Sequence, residues 1–569
     1  MTSTSADEPR PGMRDLGAWL IDAATATHGR TLAFLIVLSL ACFLPGFFNI
    51  PPIDRDEARF AQATKQMIES GDYIDIRYQD EVRYKKPVGV YWLQAGAVRA
   101  AEALGVPDAR TAIWLYRIPS LIGALGAVLL TYWTALAFGA PRTAFLAALM
   151  LATSLLLGIE ARVAKTDALL LACVLAAMGA LARTYVSKDA PADAGWRLPA
   201  IFWTALAAGV LLKGPVIVMI VGLGVVALAV LDRSARWFVR LRPALGVPWL
   251  AILVLPWFVA IIGRTGDAFF VESVGGDLLS KLAGGQEGHG APPLTYAVLF
   301  WLTFWPAAPL AALAAPAVWR QRREPAVKFL LAWLVPSWVV FELVPTKLPH
   351  YVLPLYPAVC ILIARAIEQQ ALSRRRWLER ITLHWPAIAA ILCLGAIIAV
   401  MALRRQLGFM AWPFAAGSMI FGFFAWRLFA EDGPARSLMR AAAASLMMSI
   451  AVMGTLVPLL RPLFPAAMLA EAIDVDCEGP RFASAGYHEP SLVFLFGTST
   501  LLTDGQGAAD FLRGGDCRFA LIEGRHERSF VQRAEAIGLR YAPGPRIGAI
   551  NYNGGRAISI AVYRSETGS

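Results

Sequence analysis

The stretch Val88-Gly89-Val90-Tyr91-Trp92-Leu93-Gln94-Ala95-Gly96-Ala97-Val98-Arg99-Ala100-Ala101-Glu102-Ala103-Leu104 decides how the chain is threaded. It is apolar enough to suggest a membrane crossing, yet it is short and carries Gln94, Arg99 and Glu102. A crossing helix needs about 20 apolar residues to cover about 30 Å of hydrocarbon, whereas a short amphipathic segment lies in the interface. Every downstream loop changes sides with this choice. Arg and Lys collect in short cytoplasmic loops. With 88–104 in the interface, the inside loops hold Arg142; Arg183, Lys188 and Arg197; Arg233, Arg236, Arg240 and Arg242; Arg320, Arg322, Arg323 and Lys328; Arg374, Arg375, Arg376 and Arg380; and Arg436 and Arg440. Counted as a span, it would put most of these clusters outside, so it is read as an interfacial helix.

Around that segment the sequence reads as an α-helical polytopic membrane protein. The first apolar run, Thr31 to Phe48, follows Arg10, Arg14 and Arg30 and runs outward; it lacks a small-residue cleavage site and is read as a retained span. Further spans fall near 112–138, 143–160, 168–184, 199–213, 215–231, 244–262, 294–318, 329–345, 351–371, 386–403, 410–430 and 441–460, about thirteen in all. The 569 residues are 57% hydrophobic and only 16% charged, against about 25% charged in ordinary soluble domains. The net charge of +11 resides largely in the inside loops. No basic stripe with interleaved aromatics stands apart from them, which argues against nucleic acid.

The expected domains are a cytoplasmic segment 1–30, a membrane domain 31–460 with outer loops 49–111 and 264–293, and an outer soluble α/β domain 461–569. In that last domain Ser491–Phe496 and Phe519–Ile522 read as strands, and Tyr552-Asn553-Gly554-Gly555 reads as a hairpin turn. Cys477 and Cys517 would lie in an oxidising compartment that permits a disulfide. Cys42, Cys173, Cys360 and Cys393 read as small apolar residues of the spans.

With orientation fixed, ionisable residues from four loops share the outer membrane level. They are Asp54-Arg55-Asp56-Glu57-Ala58-Arg59, Asp167 at the end of Arg162-Val163-Ala164-Lys165-Thr166-Asp167, Lys213-Gly214-Pro215, and Thr346-Lys347-Leu348-Pro349-His350-Tyr351. Taken singly, Asp56 and Asp167 serve as helix caps, Lys213 and Lys347 snorkel, and Arg83, Lys85 and Lys86 form a headgroup patch. Taken together they are costly at this depth without partners or a wet cavity, which marks function. Lysines would neutralise charge growing on a lipid phosphate leaving group, and an acid would orient or deprotonate an acceptor. The chain carries no evident nucleotide-binding glycine loop and no zinc-type His/Cys cluster.

The motifs Asp56-Glu57-Ala58-Arg59-Phe60, Ser70-Gly71-Asp72-Tyr73, Tyr84-Lys85-Lys86-Pro87, Lys213-Gly214-Pro215 and Lys347-Leu348-Pro349-His350-Tyr351-Val352-Leu353-Pro354 resemble the aminoarabinose (lipid A) transferases. These share the GT-C fold with the protein O-mannosyltransferases. The likeness runs from about Asp54 to Pro357. It implies an inverting glycosyltransferase of the bacterial inner membrane, with the N-terminus cytoplasmic and the last domain periplasmic. The implied donor is a sugar on polyprenyl (undecaprenyl) phosphate, such as 4-amino-4-deoxy-L-arabinose, and the acceptor is lipid A or another envelope glycan. Residue by residue, Asp56 matches the acid that engages the acceptor, with Glu57 and Arg59 its neighbours. Lys86 and Lys213 match carrier-phosphate residues, Tyr351 a cavity tyrosine, and Asp167 the second acidic position, associated with a divalent metal. Tyr84 and Lys347 join them as substrate-binding candidates.

Two departures bear on this. Lys85 stands where the lipid A transferases carry Glu, removing an acidic metal contact. The loop Glu272 to Pro293 lacks their His-Glu-His-type cluster and offers Lys281, Glu287 and His289 instead. Lys281 is read as a further basic contact, and the Gly-rich loop 264–293 as a lid that orders on carrier binding. Alternatives within the fold are protein O-glycosylation and uronic acid transfer to lipopolysaccharide core. A lipid-linked substrate transporter or flippase would place broken helices and charges near the midplane in repeated halves; here the charges sit at one face and no halves repeat. A scaffold leaves the acids unexplained. The oligomeric state is not readable from the sequence.

Overall fold

The computed structural model describes residues 13–187, 195–279 and 290–566. Eight of its helices are long and apolar enough to cross a membrane: Ile113–Ala135, Asp167–Val186, Pro243–Thr265, Pro325–Leu343, Pro349–Glu368, Arg376–Arg404, Phe409–Arg427 and Pro434–Leu459. Three shorter apolar helices, His28–Phe43, Pro141–Ala152 and Val216–Asp232, run with them. Pro141–Ala152 is central, with every residue from Thr143 to Ala152 buried.

Two continuous spans expected from hydropathy are broken. The run 143–160 becomes Pro141–Ala152 and Leu155–Glu160. The Leu155 amide donates to the Trp305 carbonyl at 2.9 Å, and Thr153 and Ser154 turn their hydroxyls back on the Leu149 and Leu151 carbonyls. One tertiary hydrogen bond and two local side-chain bonds therefore take the place of the helical ladder there. The run 294–318 likewise becomes Thr295–Thr303 and Ala308–Arg320, parted at Trp305-Pro306.

The segment that decides the threading forms a helix, Gly89–Ala103, of 15 residues. At 1.5 Å per residue it covers roughly 22 Å, short of a crossing. Its polar residues are used locally. Gln94 accepts from the Thr64 hydroxyl at 2.7 Å, and Glu102 pairs with Arg99 at 3.1 Å and Arg110 at 2.6 Å. The helix packs between Asp56–Ser70 and Ile113–Ala135. Near it a two-stranded ribbon pairs β1 (Arg77–Tyr78) with β2 (Glu81–Val82).

The last segment forms a five-stranded sheet from β3 (Arg481–Ala485), β4 (Leu501–Thr503), β5 (Arg518–Glu523), β6 (Tyr541–Asn551) and β7 (Arg556–Ser565), in the order β4-β3-β5-β7-β6. β3 runs parallel to β4 and β5; β7 runs antiparallel to β5 and β6. The turn 552–555 joins β6 to β7 as the sequence implies, Phe519–Ile522 lies in β5, and Cys477 is bonded to Cys517. The strand expected at Ser491–Phe496 is instead a helix, Pro490–Phe496. An unbroken apolar run carries no period to separate the two. Here Pro490 begins a helix whose Phe494 packs edge-on against Tyr116, ring centroids 5.2 Å apart. In the loop expected as a lid, Val271–Leu279 is wound as a π-helix. Lys188, Lys281, Glu287 and His289 lie outside the described residues.

Candidate active site

The site is built on a buried ion pair. Arg117, inside the helix Ile113–Ala135, is fully buried and donates to both oxygens of Glu57, Nε to Oε1 at 2.8 Å and Nη2 to Oε2 at 2.9 Å. Its remaining hydrogens go to the carbonyls of Phe47, Ile50 and Pro51. Glu57 also accepts the amides of Ile53 and Ala164, each at 2.9 Å. Two desolvated charges are tolerated only when their hydrogen bonding is this complete. The pair ties the loop before Asp56 to the loop that leads to Asp167. Between its anchored neighbours, Asp56 is exposed at the start of the helix Asp56–Ser70, and Arg55 before it has a positive φ of 71°.

Close helix contacts bring the remaining loops in. A Cβ on Gly123 would stand 2.7 Å from the Leu169 amide nitrogen, so Ile113–Ala135 and Asp167–Val186 touch backbone to backbone near the start of the second. A Cβ on Gly89 would meet the Leu211 carbonyl at 2.7 Å, which seats the end of the Lys85-Lys86-Pro87 segment against the helix that ends in Lys213.

In the resulting pocket Lys213 donates to Asp167, and its ammonium lies 5.3 Å from the Tyr351 ring centroid. Lys165 donates to Glu160 at 3.1 Å. His350 sits between the two acids, Nδ1 3.6 Å from Glu160 and Nε2 3.7 Å from Asp167, and packs edge-on against Tyr351 at 5.1 Å. Glu160, Asp167 and His350 are buried. Burial opposes the charge on Lys165, but Glu160, Asp167 and Asp56 outweigh it and raise its pKa, so it stays an ammonium.

Asp167, Lys213 and Tyr351 thus converge, with Asp56 close enough to act on Lys165 through space. Glu57 is saturated by its donors. Tyr84 is buried and gives its hydroxyl to Asp75 at 2.7 Å. Lys347 is buried and donates to the Val344 carbonyl at 2.6 Å. Lys86 donates to the Lys85 carbonyl at 3.0 Å, and Arg59 acts on Tyr78. Reading the sequence left three members of the cluster without roles: Glu160, Lys165 and His350. Lys165 and His350 stand inside the quoted motifs. Glu160 was hidden at the end of an apparent span, and the break at Thr153 is what turns it inward.

Glu160, Asp167 and His350 each offer a ligand atom, all within 4.8 Å of one another, and Glu160 Oε2 is buried with no hydrogen-bond partner. One oxygen of each acid is already paired: Glu160 Oε1 holds Lys165 and Asp167 Oδ1 holds Lys213. With Glu160 Oε2 open, Glu160, Asp167 and His350 could hold a divalent cation beside the two ammonium groups, where it would add positive charge; no step below passes through one.

Residues 31–265 match the family described as dolichyl-phosphate-mannose-protein mannosyltransferase. Over 352 residues the chain is 29% identical to the undecaprenyl phosphate-alpha-4-amino-4-deoxy-L-arabinose arabinosyl transferase of Pseudomonas paraeruginosa, covering 58% of this chain and 60% of that one. It is 27% identical over 352 residues to the protein of the same name from Edwardsiella ictaluri, covering 60% and 59%. The aligned region thus spans about three fifths of the curated relatives' length. The crystal structure of ArnT from Cupriavidus metallidurans in the apo state superposes with a TM-score of 0.70 at 19% identity, covering 94% of this chain and 98% of that one. The same protein bound to undecaprenyl phosphate gives 0.69 at 19% identity, with the same coverage. The chain therefore has the ArnT-like GT-C fold that its motifs resemble, and its residues 31–265 are similar in sequence to the dolichyl-phosphate-mannose-protein mannosyltransferases.

Proposed function

We propose that the chain is an inverting glycosyltransferase of the bacterial inner membrane, which moves a sugar from a polyprenyl phosphate carrier to lipid A or another envelope glycan. The observation that carries the reading is the meeting of Lys213 and Lys165 with Asp167, Glu160, His350 and Tyr351 at one end of the helices, beside exposed Asp56. About thirteen spans, with residues 1–30 cytoplasmic and 461–569 periplasmic, would put that end outside.

In this mechanism the bond between the anomeric carbon and the carrier phosphate breaks while the acceptor oxygen bonds to the opposite face of that carbon. Lys213 and Lys165, with Lys86 and Lys281 in the flanking loops, hold the phosphate and neutralise the charge it gains. A hydroxyl acceptor gives its proton to Asp56; a phosphate acceptor needs no base, and Asp56 then orients the amino sugar or the acceptor. Arg59 and Tyr351 frame the sugar; Glu57, Tyr84 and Lys347 hold the loops in place. A cavity of about 420 Å³ lined by Gly158, Arg162, Leu392 and Met448 borders the Glu160 loop and suits part of an isoprenoid chain. The family match to protein mannosyltransferases supports a second reading, in which the acceptor is a protein hydroxyl.

The test is reconstitution of the full chain with undecaprenyl-phosphate-linked aminoarabinose and lipid A, the products read by mass spectrometry. Transfer that Asp56→Asn abolishes is expected. Full activity of Asp56→Asn would remove Asp56 from the chemistry. If lipid A and core oligosaccharide masses are the same with and without the gene, the lipopolysaccharide acceptor is wrong.

A further inference from the structure

The loop that carries Asp56 is held from above as well as from below. Arg117 and Glu57 grip it on the membrane side. On the other side the grip comes from the C-terminal domain. Asp54 is buried. Its amide donates to the Tyr552 hydroxyl at 2.8 Å, and its carboxylate accepts from the Ser491 amide at 3.0 Å and the Tyr487 hydroxyl at 3.2 Å. Tyr552 sits at the tip of the β6–β7 hairpin. That tip is itself fastened, since Asn551 and Asn553 donate to the two oxygens of Glu489, at 3.1 and 2.9 Å. Three points of the C-terminal domain therefore meet on one residue, two places before Asp56.

The strain between the two grips sits at Arg55, whose φ of 71° is rarely adopted by a residue with a side chain. Such a conformation persists only where its surroundings over-determine it. With Asp54 held by one domain and Glu57 by the other, the chain between them has no freedom to relax, and Asp56 is presented outward.

We propose that the C-terminal domain is a working part of the transfer site, in which Asp54 and Tyr552 are positioning residues that fix the backbone bearing Asp56. The inference rests on the reading of Asp56 given above. It predicts a defect in the rate of the chemical step with carrier binding preserved, because neither residue takes part in the phosphate cluster.

The experiment uses the full chain in lipid nanodiscs with Tyr552→Phe, Asp54→Ala and Asp54→Asn. Thr498→Ala serves as a control, since it removes contacts to Gln62 and Glu69 elsewhere on the same domain boundary. Hydrogen exchange of the 53–60 backbone should quicken in Tyr552→Phe and Asp54→Ala and stay unchanged in Thr498→Ala. Turnover should fall about tenfold or more in the first two, as expected when a catalytic group is misplaced by an ångström or less. Affinity for undecaprenyl phosphate should hold within about twofold, and Asp54→Asn, which keeps an acceptor for Ser491, should recover most of the rate. Unchanged exchange in Tyr552→Phe and Asp54→Ala overturns the proposal, as does faster exchange with full turnover. If the unaltered protein transfers no sugar, the functional reading fails, and the exchange measurement still decides whether Asp54 and Tyr552 hold the loop.

Discussion

Lys165 and Glu160 form a pair in which each partner exposes the other to risk. Their Nζ and Oε1 are 3.1 Å apart with little water around them, so removing either leaves the other's charge unbalanced in a poorly solvated place. If Lys165 also receives charge from the departing phosphate, Lys165→Gln should cut turnover by about 10²- to 10³-fold, the usual loss for one preorganised electrostatic contact. Lys165→Arg should retain part of the rate. Steady-state transfer and undecaprenyl phosphate binding on the same preparations check this; an unchanged rate in Lys165→Gln would exclude the contact. At this scale the sequence was partly legible. Asp167, Lys213 and Tyr351 lay in motifs that resemble those of the aminoarabinose transferases, and they meet. Lys165 sits in one of those motifs, but a single lysine beside a span is ordinarily explained by snorkelling. Nothing in one dimension tells that it turns towards Glu160, five residues back.

At the scale of elements, the site depends on two helices meeting without side chains between them. Gly123→Ala would press a methyl group into the backbone at Leu169 and Ala168, 2.7 to 2.9 Å from the new Cβ, where no side chain can swing aside. Overpacking of this kind costs about 1–3 kcal/mol, so Gly123→Ala should lower the thermal midpoint and also the transfer rate, by moving Asp167 away from the first loop. Gly126, one turn on, meets only Ala172 Cβ at 3.9 Å. There alanine should be neutral or should stabilise by up to about 1 kcal/mol through helix propensity. Melting curves and transfer rates of the two variants make the comparison; equal behaviour would refute the close crossing. Hydropathy led to about thirteen expected spans, of which eight described helices are long and apolar enough to cross a membrane, and the polar residues of Gly89–Ala103 mark its short helix. Breaks at Thr153 and Trp305 were not readable, since the Trp305 carbonyl, distant in sequence and itself in a turn between helices, takes up the Leu155 amide. The helix Pro490–Phe496 was misread for a related reason: its apolar residues face a partner on each side and show no period.

For the whole molecule, the contact between the membrane region and the C-terminal domain should respond to acid. Burial pushes the Asp54 carboxyl up from 3.8 to about 6, with Glu489 adding to the rise and the Ser491 and Tyr487 hydrogen bonds opposing it. Its titratable neighbours are Glu489, Tyr487, Tyr552 and Tyr78, and Glu57 also acts on Tyr552. The docked state therefore binds a proton more tightly than the released state. Stability from this group is complete below the ordinary carboxylate value, falls as pH rises towards about 6, and is gone above it. Protection of the amides at 487–491 and at the 552–555 turn, taken relative to the intrinsic exchange rate at each pH, should accordingly rise on acidification from pH 7.5 to 5. Asp54→Asn should flatten the dependence, and an equal response in both proteins would assign it to other groups.

The distance in sequence between these partners has a consequence for biogenesis. Asp54 emerges just after the first membrane helix, whereas Ser491 and Tyr552 follow 437 and 498 residues later. No nascent or prematurely terminated polypeptide can complete the grip on the loop, however well its helices insert. Synthesis must reach the hairpin of β6 and β7, and that hairpin must fold, before the loop preceding Asp56 is fastened. A form truncated before residue 487 would carry Asp54 without any of the three groups that hold it.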